Sequence, residues 1–215
     1  MQSTPFDIHQ PVSLEELACE AAACTRCVLS RTRIQAVFSD GSPQASVMLI
    51  GEGPGQQEDE TGVPFVGRAG QLLTQILVSV GIDRKRDIYI CNTVKCRPPQ
   101  NRKPEPEEMS ACFPYLEGQI YWVKPKIILL AGATAVQDIL KTKQGITKIR
   151  GQWFDTPFGG AKAMPIFHPS YLLRNPSKAP GSPKWHMWQD IKEVRRMMEE
   201  MGLSVSGEPH PALTH

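Results

Sequence analysis

The sequence predicts one α/β domain, a three-layer α/β/α sandwich around a mostly parallel sheet of four strands. Short apolar runs of strand length alternate along the chain with segments whose apolar residues recur at helical spacing, which is typical of parallel sheets. The 215 residues, 40% of them hydrophobic, can bury one sizeable core, and no change of composition marks a second domain. We expect a domain over residues 13–202, a flexible N-terminus over 1–12 and a disordered tail over 203–215.

The first predicted elements are a helix and a buried strand. Ser13 to Glu16 has the spacing of a capping box, and the Ala- and Glu-rich stretch after it predicts a helix up to about Cys24. The apolar run at 46–50 ends in the glycine-rich turn at 51–55. This order is typical of a buried strand followed by a functional loop.

A helix, a strand and a second helix follow. From Gly67 the apolar residues recur at helical spacing, and Gly81 is expected to cap that helix. Residues 87–91 predict a strand, after which a proline-rich loop leads to a helix that ends near Val123. Pro114 cannot donate within a helix, so we expect it at the start of that helix or at a kink.

The rest of the chain repeats the pattern. Residues 126–131 predict a third strand, 133–140 a helix, 163–167 a fourth strand, and an apolar stripe over 185–198 a closing helix. Ligands of open parallel sheets bind outside the carboxyl ends of the strands. Because three unusual loops of this chain begin at such ends, we expect the functional site there.

Composition constrains the partners of the protein. The net charge is only +2, so binding to a nucleic acid needs a local basic patch. No apolar run approaches the length of a membrane span, and residues 1–12 lack the order of a signal peptide. We expect a cytoplasmic monomer with no membrane partner.

Four of the six cysteines have the spacing of metal ligands. Cys24 and Cys27 form a CxxC pair, and fifteen residues separate Cys96 from Cys112. A CxxC pair brings two thiolates to one centre, and a distant second pair completes four sulfur ligands. The spacing leaves a structural zinc and an iron–sulfur cluster as equal alternatives, with a redox CxxC as a third. The remaining two, Cys19 and Cys91, are expected to pack in the core as unligated thiols.

Three longer segments carry a family signature. They are GEGPGQQEDETGVPFVGRAG at 51–70, NTVKCRPPQNR at 92–102 and HPSYLLRNP at 168–176. In order and separation they closely resemble the family 4 uracil-DNA glycosylases, and the resemblance covers about residues 14–201. It implies the fold of that family and the hydrolysis of uracil from DNA, single- or double-stranded, which requires a base flipped out of the stack.

The resemblance also implies a 4Fe-4S cluster. Cys24, Cys27, Cys96 and Cys112 stand where the family carries its ligands, which favours iron over zinc. The family's cluster is chiefly structural and ties the N-terminal segment to the proline-rich loop beside the DNA-binding face.

Three residues are implied in base recognition. Phe65 matches the family's stacking aromatic, although by itself it would be interpreted as a core residue. Asn92, otherwise an ordinary turn asparagine, can donate to a uracil carbonyl and accept from the ring N–H, a pattern that cytosine reverses. Glu58 falls near where other families place a bulky group against uracil C5, so we hypothesise that it helps to exclude thymine.

Catalysis is implied to depend on placed donors. His168 matches the family's histidine near uracil O2, where a donor stabilises the charge that develops as the glycosidic bond breaks. Backbone N–H groups around Gly53, together with Asn92, are expected to contribute. Gly53 stands where family 1 enzymes have a water-activating aspartate, so no obvious general base remains. Glu52, the nearest carboxylate, is hypothesised to orient the water or to stabilise the cation-like sugar.

DNA contacts are implied for the third segment. Leu172 and Leu173 are expected to wedge into the minor groove and Arg174 to meet phosphate, the alternative being a core leucine pair beside a surface arginine. Basic residues of the flanking loops are candidates for gripping the backbone: Arg97, Arg102, Lys103, Lys178 and Lys184.

A competing hypothesis is a non-enzymatic iron–sulfur or zinc module that binds nucleic acid. Release of free uracil from an oligonucleotide discriminates it from a glycosylase. Nucleotide binding by residues 51–55 is disfavoured, because no Lys-Ser/Thr pair follows and the GxGxxG spacing is absent. Relatives that bond covalently to abasic DNA carry a histidine-bearing loop that residues 95–97 lack, so turnover is expected.

Overall fold

The computed structural model describes residues 13–208 and arranges them as helices on both faces of one sheet. Within these residues the sheet has six strands: β1 (Asp40–Gly41), β2 (Val47–Gly51), β3 (Ile88–Asn92), β4 (Ile127–Ala131), β5 (Phe154–Asp155) and β6 (Lys162–Ile166). Their order across the sheet is β1-β3-β2-β4-β6-β5. The four central strands are parallel and both edge strands are antiparallel.

The predicted α/β architecture is confirmed, and the four predicted strands form the parallel centre of the sheet. The count of four strands is wrong, because β1 and β5 were not anticipated. Each has only two residues, too few for a hydrophobic period to show. β2, β3 and β4 are buried at every position, as strands covered on both faces must be.

The helices supply the two outer layers. They are α1 (Leu14–Ala23), α2 (Gln56–Thr61), α3 (Arg68–Ser79), α4 (Pro106–Val123), α5 (Ala133–Leu140), α6 (Ile146–Ile149), α7 (Pro169–Arg174) and α8 (Pro183–Glu200). Side chains of β4 alternate between two cores, Leu129 facing α3, α7 and α8 and Leu130 facing α4 and α5. A third, smaller core joins α1 to α4 beside the sheet.

One local expectation is wrong, and a second is wrong in one of its two alternatives. Pro114 lies in the interior of α4, eight residues after its start at Pro106, so the helix-start alternative is wrong and the kink stays a prediction. The flanking turns of α4 bury Tyr115 and Leu116, so tertiary packing offsets the hydrogen bond that a proline cannot donate. Cys19 is exposed on the outer face of α1, whereas Cys91 is buried as expected.

Residues 203–208, which belong to the expected disordered tail, contact the rest of the domain. Leu203 and Val205 pack against the core that contains α8, and the Gly207 N–H donates to the Gly81 carbonyl at 3.1 Å. Ser206 donates to the Asp87 carboxylate through its N–H and its hydroxyl. Residues 209–215 and the predicted flexible segment 1–12 lie outside the described residues.

In the described part, no helix combines the length and apolar character that crossing a membrane requires.

Candidate active site

A cavity of about 510 Å³ opens at the carboxyl ends of the parallel strands, where parallel sheets bind ligands. All three segments singled out in the sequence contribute to its walls. The lining includes six of the predicted site residues: Glu52, Gly53, Glu58, Phe65, Asn92 and His168. The structure therefore brings together groups that are as much as 116 residues apart in the chain, and a volume of this size suits a nucleotide-sized ligand.

Gly51, the last residue of β2, allows an aromatic ring and an amide to meet in the cavity. A Cβ at this position would lie 2.5 Å from Phe65 Cζ and 2.4 Å from Asn92 Oδ1. Contacts this short do not occur, so any larger residue would push the two side chains apart. The missing side chain creates a narrow slot between Phe65 and Asn92.

Asn92 carries the clearest sign of an absent ligand. Its side chain is only 1% exposed, and Oδ1 has no hydrogen-bond partner among the described residues. Buried polar atoms in folded proteins are nearly always paired. An acceptor in this state at the end of β3 fits a ligand that brings its own N–H donor.

Phe65 is held in an unusual backbone conformation. Its φ of 54° lies in the left-handed region, which a bulky residue rarely adopts. Its ring centroid is 5.6 Å from that of His168, with the planes inclined by 33°. Backbone outliers of this kind persist where the surroundings impose them, commonly at binding sites.

Glu58 imposes much of that conformation. Its carboxylate accepts from the N–H groups of Gly55 at 3.1 Å, Val66 at 2.9 Å and Gly67 at 2.8 Å. These bonds join the N-terminus of α2 to the loop that carries Phe65. Glu58 therefore shapes the wall of the cavity, while the exclusion of thymine by this residue stays a prediction.

His168 is a neutral donor facing the cavity. Its Nδ1 accepts from the Ser170 N–H at 3.2 Å and lies 2.8 Å from Ser170 Oγ, which leaves the ring proton on Nε2. Burial, and secondly the charge of Arg174, lower the pKa of His168 to about 4, against an opposing effect of Glu58. At neutral pH the imidazole can donate from Nε2 without carrying a charge.

Glu52 and Gly53 are neighbours in the cavity wall. The Glu52 carboxylate accepts a short hydrogen bond from the hydroxyl of Thr134, at the start of α5. A Cβ on Gly53 would lie 2.8 Å from Val94 Cγ2, so this backbone is in close contact with its neighbour. The Glu52 carboxylate is the one acidic group of this wall within the described residues that faces the cavity beside Gly53.

The predicted DNA-contacting residues differ in their exposure. Leu172 is fully buried and packs in the core with α3 and α8, which agrees with the core alternative, while its wedge role stays a prediction. Leu173 is 36% exposed, and Arg174 lines the cavity mouth. Arg102 also lines the mouth, where both of its terminal nitrogens bond the Glu108 carboxylate, at 2.8 and 2.6 Å.

The four predicted metal-ligating cysteines gather in the small core beside the cavity. None of them forms a disulfide. The Arg33 guanidinium donates to Cys96 Sγ at 2.9 Å, and the Lys95 N–H donates to Cys112 Sγ at 3.3 Å. Burial raises the pKa of Cys96 and raises that of Cys112 to about 12. No group of three or more His, Cys, Asp or Glu side chains in the described region is spaced to hold a single metal ion.

Sequence reasoning missed three residues that build the cavity. Gly51 and Ser170 lie within the singled-out segments, where the glycine-rich turn and a serine two residues after a histidine were available signals. Thr134 had no local signal, because it meets Glu52 across 82 residues of chain.

Comparison with known proteins identifies relatives of the chain. A family model for the uracil DNA glycosylase superfamily matches residues 38–192. The chain is 51% identical over 180 residues to a type-4 uracil-DNA glycosylase of Thermotoga maritima, covering 83% of this chain and 91% of the relative. It is 39% identical over 193 residues to one of Sulfurisphaera tokodaii (86% and 84% covered) and 38% identical over 170 residues to one of Archaeoglobus fulgidus (76% and 85%).

The lowered pKa of His168 predicts a pH-dependent stability. Between about pH 4 and its ordinary value of 6.5, the unfolded chain binds a proton at this site that the folded chain does not. The free energy of unfolding should therefore rise with pH across this window. Urea denaturation at several pH values should show a shallower rise for His168→Gln than for the unaltered protein; identical slopes would contradict the buried neutral state.

Proposed function

Because this chain belongs to the uracil-DNA glycosylase superfamily, we propose that it is a type-4 uracil-DNA glycosylase. It hydrolyses the N-glycosidic bond of deoxyuridine in DNA, releases free uracil and leaves an abasic site, the first step of base excision repair. The observation that carries the proposal is the slot beside Gly51, where Phe65 and the unpartnered Asn92 amide oxygen converge.

Recognition follows from that slot. A base that leaves the stack needs an apolar face to lie on and fixed polar groups for its edge. Phe65 supplies the face, and Asn92 Oδ1 accepts from the ring N–H of uracil while its NH₂ donates to the adjacent carbonyl. Cytosine has no N–H at that ring position and presents an amino group instead, so it leaves the buried acceptor unsatisfied and is rejected.

His168 stabilises the departing base. As the glycosidic bond breaks, negative charge accumulates on the uracil ring and its carbonyl oxygens. The Nε2–H, fixed by the Ser170 contacts on Nδ1, donates to the carbonyl O2. Because the imidazole is neutral, it makes this bond without bringing a full positive charge into the site. Backbone N–H groups near Gly53 add further donors at the same wall.

Glu52 acts on the sugar side. The bond from Thr134 fixes one carboxylate oxygen, which leaves the other to orient a water or to face the cation-like sugar. Gly53 adds no carboxylate of its own, so the enzyme depends on placed donors and charge more than on a strong general base.

The substrate is uracil-containing DNA, single- or double-stranded, and the active species is a monomer. Leu173, the more exposed of the two leucines, fills the gap left by the flipped base, and Arg174 beside it meets phosphate. The predicted basic residues of the flanking loops, Arg97, Arg102, Lys103, Lys178 and Lys184, add to the grip on the backbone.

A 4Fe-4S cluster on Cys24, Cys27, Cys96 and Cys112 completes the protein. The donor set fits: four thiols share one core without a disulfide, and N–H groups of Arg33 and Lys95 point at two of the sulfurs. Burial disfavours free thiolates here, and ligation to a cationic centre offsets that cost. When bound, the cluster supplies a covalent tie between the α1 end, the proline-rich loop and α4.

The glycosylase activity predicts large losses at two positions. Asn92→Ala and His168→Ala should each lower single-turnover uracil release by about 10²- to 10³-fold, since each removes a donor aimed at developing charge. Leu140→Ala, a change on the far side of the sheet, serves as control and should release uracil at nearly the unaltered rate. DNA binding without any release of uracil by the cluster-loaded protein would favour the non-enzymatic alternative.

If the cluster is present, substitution of a ligand cysteine and of a non-ligand cysteine should have different effects on the iron content. Cys96→Ala should lower the iron content and the visible absorbance of the purified protein and reduce its thermal stability, because a ligand is lost. Cys19→Ala removes an exposed thiol of α1 and should retain both iron and absorbance. Elemental analysis checks the pair; zinc in place of iron, or full iron in Cys96→Ala, would contradict the assignment.

A further inference from the structure

Lys95 is a lysine buried in the interior, directly behind the cavity. It is 1% exposed and lies three residues after Asn92, in the short segment that runs from β3 to Cys96. Lysine is almost never fully buried unless its amino group is well bonded. The proposed roles of Asn92 and His168 in base recognition do not explain why Lys95 is buried, because Lys95 does not line the cavity.

The bonds of Lys95 lead to Asn92. Its Nζ donates to the main-chain carbonyl of Asn92 and to Gln119 Oε1, both at 2.6 Å. Gln119, on α4, is oriented in turn by its NH₂, which donates to the Phe38 carbonyl at 2.9 Å and to the Tyr89 hydroxyl at 3.2 Å. In the described region, no carboxylate forms an ion pair with Lys95.

If Lys95 served only to stabilise the fold, burying its amino group would be unfavourable. An amino group removed from water without an acidic partner is less favourable than an apolar side chain of the same length. A methionine would fill the space and still leave the segment attached, because Thr93 and Val94 bond the Gly51 and Glu52 carbonyls through their own N–H groups. The specific effect of the lysine is on the peptide that ends β3.

That peptide sets the direction of the recognition amide. The Asn92 carbonyl is fixed by Lys95 on one side, and its side chain forms one wall of the slot beside Gly51 on the other. A rotation of this peptide would displace Oδ1 from the base, and misplacement by about 1 Å can cost on the order of 100-fold in rate.

We propose that Lys95 is a positioning residue for the uracil-reading amide of Asn92, joining it through Gln119 to helix α4. The inference rests on the proposed glycosylase function. In this proposal Lys95 does not contact the substrate, and its effect on catalysis acts only through Asn92. Removal of Lys95 therefore matters when the amide is present and not when it is absent.

A double-mutant cycle tests that dependence. In cluster-loaded protein with saturating enzyme, Lys95→Met should slow single-turnover uracil release about 10- to 100-fold with little change in DNA affinity. In the Asn92→Ala background the same change should slow release less than about twofold. Lys126→Met, which makes the same change at an exposed lysine just before β4, is the matched control and should stay within about twofold of the unaltered protein.

Each result decides the inference. Equal losses in both backgrounds would show a structural or direct electrostatic role and overturn it, as would full activity of Lys95→Met. If Lys95→Met fails to load the cluster or to unfold cooperatively, Lys95→Gln carries the same test, since its amide is shorter and uncharged. The unaltered protein is measured in the same assay. If it releases no uracil, the proposed function fails; if it releases uracil but the variants do not differ as expected, only the Lys95 inference fails.

Discussion

The candidate active site depends on one steric constraint, the missing side chain at Gly51. Two strands, β2 and β3, end side by side, and only a hydrogen at the end of β2 lets the Asn92 amide and the Phe65 ring share the space in front of it. The strained backbone of Phe65, the bonds of Glu58 to its loop and the orphaned oxygen of Asn92 all follow from keeping that slot open.

The segment from Asn92 to Cys96 connects the slot to the cysteines. Thr93 and Val94 bond the glycine-rich loop, Lys95 bonds Asn92 and α4, and Cys96 accepts from Arg33. Five consecutive residues thus link the cavity to the cysteine core. Because of this continuity, loosening the cysteine core would release the peptide behind the Asn92 amide.

The sequence predicted what depends on local pattern and on motifs. Parallel strands such as β4 showed as apolar runs, and Asn92 and His168, which the sequence placed near strand ends within recognised segments, both line the cavity. The sequence did not predict features that tertiary contacts determine. Leu172 and Leu173 are adjacent and alike, yet only packing shows which of them is buried, and no pattern indicated that Lys95 turns inward. The two-residue strands β1 and β5 were likewise too short to detect.

The most direct measurement is uracil release by cluster-loaded Gly51→Ala protein that unfolds cooperatively and still binds DNA. One methyl group would occupy the slot between Phe65 and Asn92, so the account predicts a loss of release of at least about 100-fold with DNA affinity nearly unchanged. Release at the rate of the unaltered protein would contradict the claim that the base is read in that slot.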